Sequence, residues 1–325
     1  MPVSRELIRQ AIADDLILDS LPAEFDGLGQ RYSGKVRENF SLASGERLIV
    51  VSDRVSAFDR VLGTIPFKGQ VLNGLAAHWF ETTASLFPNH MLAVPDAAAM
   101  RVVECEPFKI EMVVRGYLTG SSSTSIWRAY EKGERRFCGH TLPEGLQRHQ
   151  QLAANIVTPT TKAAKGDHDQ NISKAALVEQ GLIDGALFDV LEQRCLALFA
   201  EGQRQAAARG LILVDTKYEL GRRADGEIVL IDEIHTPDSS RYWYAEGYQQ
   251  AMAEGRSPRA LDKEFVRTWL VDQGFTGDGT PPTLPDEIRV EAALRYIEAF
   301  ERVTGREFEP DMRPPLPRLR AALGV

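Results

Sequence analysis

The sequence predicts an α+β protein, and three observations carry that reading. Strand-type runs of apolar and β-branched residues crowd the chain between 30 and 118. Stripes of apolar residues at helical spacing fill 173–209 and the stretch after 261. Between them lies 211–243, LILVDTKYELGRRADGEIVLIDEIHTPDSSRYW, which reads as a β-hairpin followed by a polar loop. Asp225-Gly226 is its turn signal.

If those two residues form the turn, Glu219 faces Asp232 across the hairpin, and Lys217 shares their face. Two opposed carboxylates repel unless a charge offsets them. A hard cation shared with a substrate's phosphates would do so. An ordinary solvated hairpin explains the same charges, and a turn one residue longer breaks this register. The loop that follows adds Asp238, Ser239, Ser240 and Arg241 just beyond the acids. Loops at sheet ends are where binding residues concentrate.

The chain has 325 residues, room for two domains or one large bilobal unit. A net charge of −8 argues against bulk attraction to nucleic acid or to an anionic membrane. Any anionic ligand must therefore meet a local cluster of Lys and Arg. Cys105, Cys138 and Cys195 are far apart and odd in number, which points to reduced thiols in a cytoplasmic protein. The opening MPVSRELIRQAIADDL carries acids and has no apolar run, so it does not read as a signal peptide. No stretch approaches a membrane span.

In order, Ile8, Ile12 and Leu16 mark a short amphipathic helix. GQRYSGKVRENFSLASGERLIVVSD reads as two antiparallel strands, with Lys35 and Arg37 on one face of the first. Gly34 before Lys35 can let a phosphate approach the backbone, although a plain turn edge is the commoner reading. Lys68-Gly69-Gln70 precedes a helix over 71–82. RVVECEPFKIEMVVRGYL gives two strands around Glu106-Pro107, able to join two lobes. The run 120–124 enters a helix at Ser125, an N-terminus suited either to plain capping or to an anion. TPTTKAAKGDHDQNIS packs Lys162, Lys165, Asp167, His168, Asp169 and Asn171 into one polar loop. Its acids and histidine are too tightly consecutive to share one zinc ion. Ser173 caps a helix predicted to run to Arg209, with Cys195 on its apolar stripe. Two further helices, over 261–272 and 287–303, are expected to pack on the second lobe.

SGKVRENF, VSDRVSAFD, KGQVLNGL, VVRGYLTGSSSTSIW, TPTTKAAKGDHDQNIS, DTKYELG and IDEIHTPDSSRYW together resemble the SAICAR synthetase family, in that family's order. The form of the lysine-rich loop is similar to the longer, fungal-type branch. The resemblance implies a bilobal fold of ATP-grasp and kinase type: a β-rich ATP-binding lobe at 1–112, a mixed α/β lobe with the metal and ribonucleotide site at 113–258, and a helical region at 259–325. It implies a carbon–nitrogen ligase of purine biosynthesis. ATP, Mg²⁺, a carboxylated aminoimidazole ribonucleotide and L-aspartate would be its cofactors and substrates. Nucleic acid and membrane are not expected partners, and a monomer is expected with a dimer left open.

By that resemblance Gly34, Lys35, Lys109, Glu111 and Met112 border the nucleotide, and Lys35 and Lys217 lie beside the transferred phosphate. Glu219 and Asp232 hold Mg²⁺. Arg115, Ser121, Asp238 and Arg241 bind the ribonucleotide, while Lys162, Lys165, Asp167, His168 and Asn171 belong to a loop over the aspartate. The implied route is an acyl phosphate attacked by the aspartate amine, which agrees with the lack of a nucleophile triad. A small-molecule kinase would use similar parts, and a nucleotide-binding module without turnover is the other rival.

Overall fold

The computed structural model describes residues 3–57, 60–122, 124–162, 170–261, 264–277 and 279–325. A five-stranded antiparallel sheet forms the first layer. It contains β1 (Gln30–Ser33), β2 (Arg37–Ser41), β3 (Glu46–Val51), β6 (Met91–Asp96) and β7 (Ala99–Val103), in the order β1-β2-β3-β7-β6. The hairpin of β4 (Arg54–Ala57) and β5 (Arg60–Thr64) stands apart from it. Period-two alternation decides how this sheet is covered. Ile49 and Val51 of β3 join the main core with helix α2 (Lys68–Thr83). Leu48 and Val50 point the other way, into a smaller core with Phe25, Phe40 and Leu319.

The second sheet is built on two long strands, β8 (Glu106–Tyr117) and β14 (Leu211–Arg222). They pair antiparallel, with Glu111 opposite Glu219, Val113 opposite Lys217 and Arg115 opposite Asp215. Beyond β8 lie β11 (Gln151–Val157) and β12 (Thr160–Thr161), and β12 pairs onward to β13 (Gln170–Asn171). The far edge of β14 carries β15 (Ile228–Ile231) and β16 (Ser240–Tyr244). A small ribbon of β9 (Arg136–Phe137) and β10 (His140–Thr141) lies outside both sheets. The connecting helices are α3 (Ile126–Glu131), α4 (Lys174–Glu179) and α5 (Gly185–Ala207).

Ser125, Ser173 and Asp184 cap α3, α4 and α5 through their side chains. Each cap satisfies a backbone N–H and is worth about 1 kcal/mol. The single helix expected over 173–209 is therefore two. Gly181, at φ 67°, stops the first, and Asp184 starts the second. Helix α5 lies on β14 and can do so because of Gly202. A Cβ there would come within 2.7 Å of Leu213 and 2.5 Å of His235.

Four helices complete the chain or flank it: α1 (Arg5–Ala13), α7 (Glu264–Asp272), α8 (Asp286–Thr304) and α9 (Pro315–Leu323), with the short α6 (Tyr248–Ala253) after β16. The C-terminal helices do not pack on the second lobe alone. Helix α8 lies mainly on α1 and α2, and α9 lies on β6, where Leu319 closes the smaller core. The sequence stripe showed that α8 had an apolar face but carried no information on which neighbour would take it. Among the described residues no helix is long and apolar enough to cross a membrane. Cys105, Cys138 and Cys195 are free thiols, and burial pushes the Cys195 thiol up, as expected for a core position.

Candidate active site

The hairpin register differs from the expected one by one residue. Glu219 faces Ile231, not Asp232. The turn holds three residues: Gly226 N–H donates to Arg223 O, and Arg223 N–H pairs back to Glu227 O. Gly226 takes φ 91°, the geometry of a type I turn closed by a glycine bulge. Asp232 still reaches the site, because it leaves the strand in a left-handed conformation at φ 68°. Such a conformation is uncommon away from glycine, and aspartate tolerates it better than most residues.

The cleft between the two sheets has a volume of about 160 Å³ and is lined by Tyr32, Asn39 and Arg47 from one side and Lys162, Glu219 and Asp232 from the other. Lys217 Nζ lies 2.6 Å from Glu111 and 3.1 Å from Glu219. Lys162 pairs with the other oxygen of Glu219, and Thr160 donates to Glu111 at 3.1 Å. Arg37 binds Asp232 and, at 2.7 Å, Glu233. Burial opposes the charge on Lys217, but Glu219 and Glu111 outweigh it and hold the ammonium well above its ordinary pKa. Burial likewise opposes ionisation of Asp232, yet Arg37 and Lys217 keep its pKa below the usual carboxylate value. Four carboxylates thus face three cations in one place.

A second cluster follows on the same strand face. Arg241 binds Asp215, and Arg115 stands 3.9 Å from the same acid. Burial lowers the pKa of Arg115, and the charge of Arg241 adds to the effect. Arg115 also donates to Thr158 at 2.8 Å and to Thr124 O at 3.3 Å. Asn171 donates to Thr124 O at 3.1 Å. Two guanidiniums over one acid leave a local positive charge suited to a phosphate. Gly120, at φ 107°, keeps this pocket open. A Cβ there would sit 2.5 Å from Ser125 and 3.4 Å from Arg241.

The remaining expected residues are spread around these clusters. Lys35 and Gly34 lie in the turn between β1 and β2, so Lys35 does not share a strand face with Arg37. Gly34 N–H donates to Arg37 O and closes that turn. Met112 is fully buried in the core and opposite Tyr218, on the sheet face away from Glu111. Period-two alternation makes this unavoidable: Glu111 and Met112 cannot both face the cleft. Lys109 is exposed, and its carbonyl accepts from Lys162 N–H. Ser121 is exposed, and its carbonyl accepts from Arg128. Asp238 meets Lys68 and Tyr296. Lys165, Asp167 and His168 fall outside the described residues.

The donor chemistry at Glu219 and Asp232 fits a hard cation in part. Both acids line the cleft and offer oxygen ligands. Among the described residues no group of three or more His, Cys, Asp or Glu is gathered for a metal. A Mg²⁺ held there would have to take its other ligands from nucleotide phosphates and water, as this ion commonly does.

Residues 30–282 match the family model described as SAICAR synthetase. The chain belongs to this family. It is 49% identical over 281 residues to a putative phosphoribosylaminoimidazole-succinocarboxamide synthase 2 of Mesorhizobium japonicum, covering 86% of this chain and 90% of that one. It is 46% identical to the chloroplastic phosphoribosylaminoimidazole-succinocarboxamide synthase of Arabidopsis thaliana, covering 93% of this chain and 73% of that one. Among solved structures, the Saccharomyces cerevisiae SAICAR synthase complexed with SAICAR superposes with a TM-score of 0.77 at 30% identity, over 90% of this chain and all of that one. A SAICAR synthetase in complex with ADP gives 0.64 at 25% identity, over 86% of this chain.

Several members of the clusters were not among the residues singled out from sequence. Asp215 sits two positions before Lys217 on the same strand face, a signal that period-two reading contains. Arg37 is legible on its strand but its partners are not, because Asp232 and Glu233 lie about 195 residues further along the chain. Lys68 was visible only as part of a helix start, and Tyr296 only as one more residue of an amphipathic helix.

Proposed function

We propose that the cleft joins a carboxyaminoimidazole ribonucleotide to L-aspartate at the expense of ATP, the reaction of a SAICAR-forming ligase in purine biosynthesis. The observation that carries this reading is the ionic row on β8 and β14, where Lys217 is bracketed by Glu111 and Glu219 beside Asp232. ATP occupies the cleft between the sheets, with Gly34, Lys35, Lys109, Glu111 and Met112 at its border. Met112 contributes backbone only, since its side chain is in the core. Glu219 and Asp232 hold Mg²⁺, which when bound neutralises the β- and γ-phosphates. The N-terminal sheet, ending with β7, serves as the ATP lobe. The second sheet carries the ribonucleotide, and the C-terminal helices brace both.

Arg115, Arg241 and Ser121 grip the ribonucleotide's phosphate, with Asp238 at the edge of the same pocket. Lys162 and Asn171 belong to the aspartate side. In the first step an imidazole carboxylate oxygen bonds to the γ-phosphorus as the β,γ-bridge oxygen leaves on ADP. In the second the aspartate amine bonds to the acyl carbon, inorganic phosphate leaves and the amine loses its proton. Lys217 and Lys35 stabilise charge on the phosphoryl oxygens during transfer. Positioning and charge neutralisation suffice for such a step, so no nucleophilic side chain is needed.

The test is acceptor dependence. Purified protein with ATP and Mg²⁺ should release ADP only when both aspartate and the imidazole carboxylate are present, and the product should have the mass of the succinyl amide. ADP release with a hydroxyl acceptor and neither of these would favour a small-molecule kinase instead.

A further inference from the structure

Three elements far apart in the chain meet on the carboxylate of Asp238. Lys68 Nζ lies 2.9 Å from Oδ2, and the Tyr296 hydroxyl donates to Oδ1 at 2.7 Å. Lys68 is 0% exposed, opens α2 and follows Phe67, whose φ is 63°. Its ammonium also stands 5.5 Å above the Tyr296 ring. Tyr296 lies on α8, beyond the segment 30–282 that matches the family. Asp238 belongs to a tight turn in which Thr236 O accepts from the N–H groups of Ser239 and Ser240. That turn leads directly into Ser240, bonded to Thr216 at 2.7 Å, and Arg241, bound to Asp215.

We propose that Lys68 and Tyr296 are positioning residues for ribonucleotide binding: by fixing the Asp238 carboxylate they fix the turn that delivers Arg241 to the phosphate pocket, with Ser240 anchoring that turn to Thr216 on the opposite face of the sheet. A buried ammonium must keep its carboxylate close, since an unpaired charge in the interior is strongly unfavourable. That requirement pins one oxygen of Asp238. The tyrosine hydroxyl pins the other, and with both held the carboxylate cannot rotate. The C-terminal helix thereby acts on the site without touching the nucleotide cleft. The inference rests on the reading of Arg115 and Arg241 as the ribonucleotide's phosphate grip.

The test compares Tyr296→Phe and Lys68→Gln with the wild type, varying each substrate in turn. Tyr296→Phe removes one hydroxyl and keeps the ring beneath Lys68. Expected is a KM for the ribonucleotide about tenfold higher, from loss of a hydrogen bond to a charged group, with the KM for ATP within about twofold. In an Asp238→Asn background the further effect of Tyr296→Phe should shrink, because the two act through one carboxylate. An unchanged ribonucleotide KM in a folded Tyr296→Phe overturns the proposal. An equal rise for all three substrates does the same, since it marks general loosening. If Lys68→Gln does not melt cooperatively, Tyr296→Phe decides alone. If the wild type shows no aspartate-dependent ADP release, the underlying reading fails. Calorimetric titration of the wild type and Tyr296→Phe with the ribonucleotide still separates the positioning claim from that failure.

Discussion

Strands β8 and β14 present two faces made by the same backbone, and the two faces are opposites. One carries Glu111 and Arg115 beside Asp215, Lys217 and Glu219, all engaged in ion pairs. The other carries Met112, Val114, Tyr218 and Leu220, each fully buried. Alternation with period two produces both. The difference is in what can replace each partner. On the ionic face the cations and acids satisfy one another, and an incoming phosphate or metal can take over those contacts. On the apolar face packing fixes the strands, and nothing from solvent can substitute for it. Changes on the first face should therefore register in kinetics, and changes on the second in stability.

The largest expected effect is on the ionic side. Asp232→Asn should lower kcat about 10²- to 10³-fold while leaving the circular dichroism spectrum unchanged, the usual scale for losing one charge-stabilising group. Wild-type rates in that variant at limiting Mg²⁺ would remove Asp232 from any metal site. The matching change on the apolar side is Leu220→Ala, which should lower unfolding free energy by about 3 kcal/mol through lost burial and a residual cavity. Urea unfolding reads this directly. The KM for ATP, measured well below the transition, should stay within about twofold of wild type. A Leu220→Ala variant that kept its stability but lost ATP affinity would break the division between the faces.

Arg241→Ala sharpens the comparison within the ionic face itself. It should raise the KM for the ribonucleotide about thirtyfold, roughly 2 kcal/mol, and that for ATP much less. Arg115, 3.9 Å from Asp215 in the wild type, is kept in that variant, so the acid should retain a partner and the sheet should hold. Equal rises for both substrates would merge the two clusters into one functional unit.

The ionic row was readable from sequence because strand alternation is strict: Lys217 and Glu219 had to share a face. Its partner across the sheet was not, since pairing β8 with β14 depends on contacts between residues a hundred or more positions apart. The hairpin register departs from the expected one through turn chemistry. Asp225-Gly226 suits a two-residue turn and equally the three-residue turn that forms, and the choice moves Asp232 by one position. The break between α4 and α5 was visible as Gly181 and Asp184 but hidden by a continuous apolar stripe. Where α8 packs, and that Tyr296 reaches Asp238, was beyond any local pattern, because an amphipathic face says how much is buried and not against what.

The smallest expected effect tests how completely the apolar face excludes charge. His235 lies behind β14, fully buried against Tyr218, with the Trp79 ring 4.6 Å away. It has a left-handed backbone at φ 53°, and Tyr242 donates to its carbonyl at 2.7 Å. Burial pulls its pKa from 6.5 down to about 3. As pH falls below 6.5 the unfolded chain takes up this proton and the folded chain does not. Stability present above 6.5 is therefore lost as pH falls towards 3. Between pH 7 and 5.5 this one group should remove about 1 kcal/mol. His235→Gln, which keeps hydrogen-bonding atoms but cannot titrate, should lose that much less over the same interval. His90, buried and also lowered to about 3, still contributes, so the slope shrinks without vanishing. Urea midpoints at the two pH values decide it. An unchanged slope in His235→Gln would mean that the imidazole takes up its proton in the folded protein, and that the face behind β14 admits charge after all.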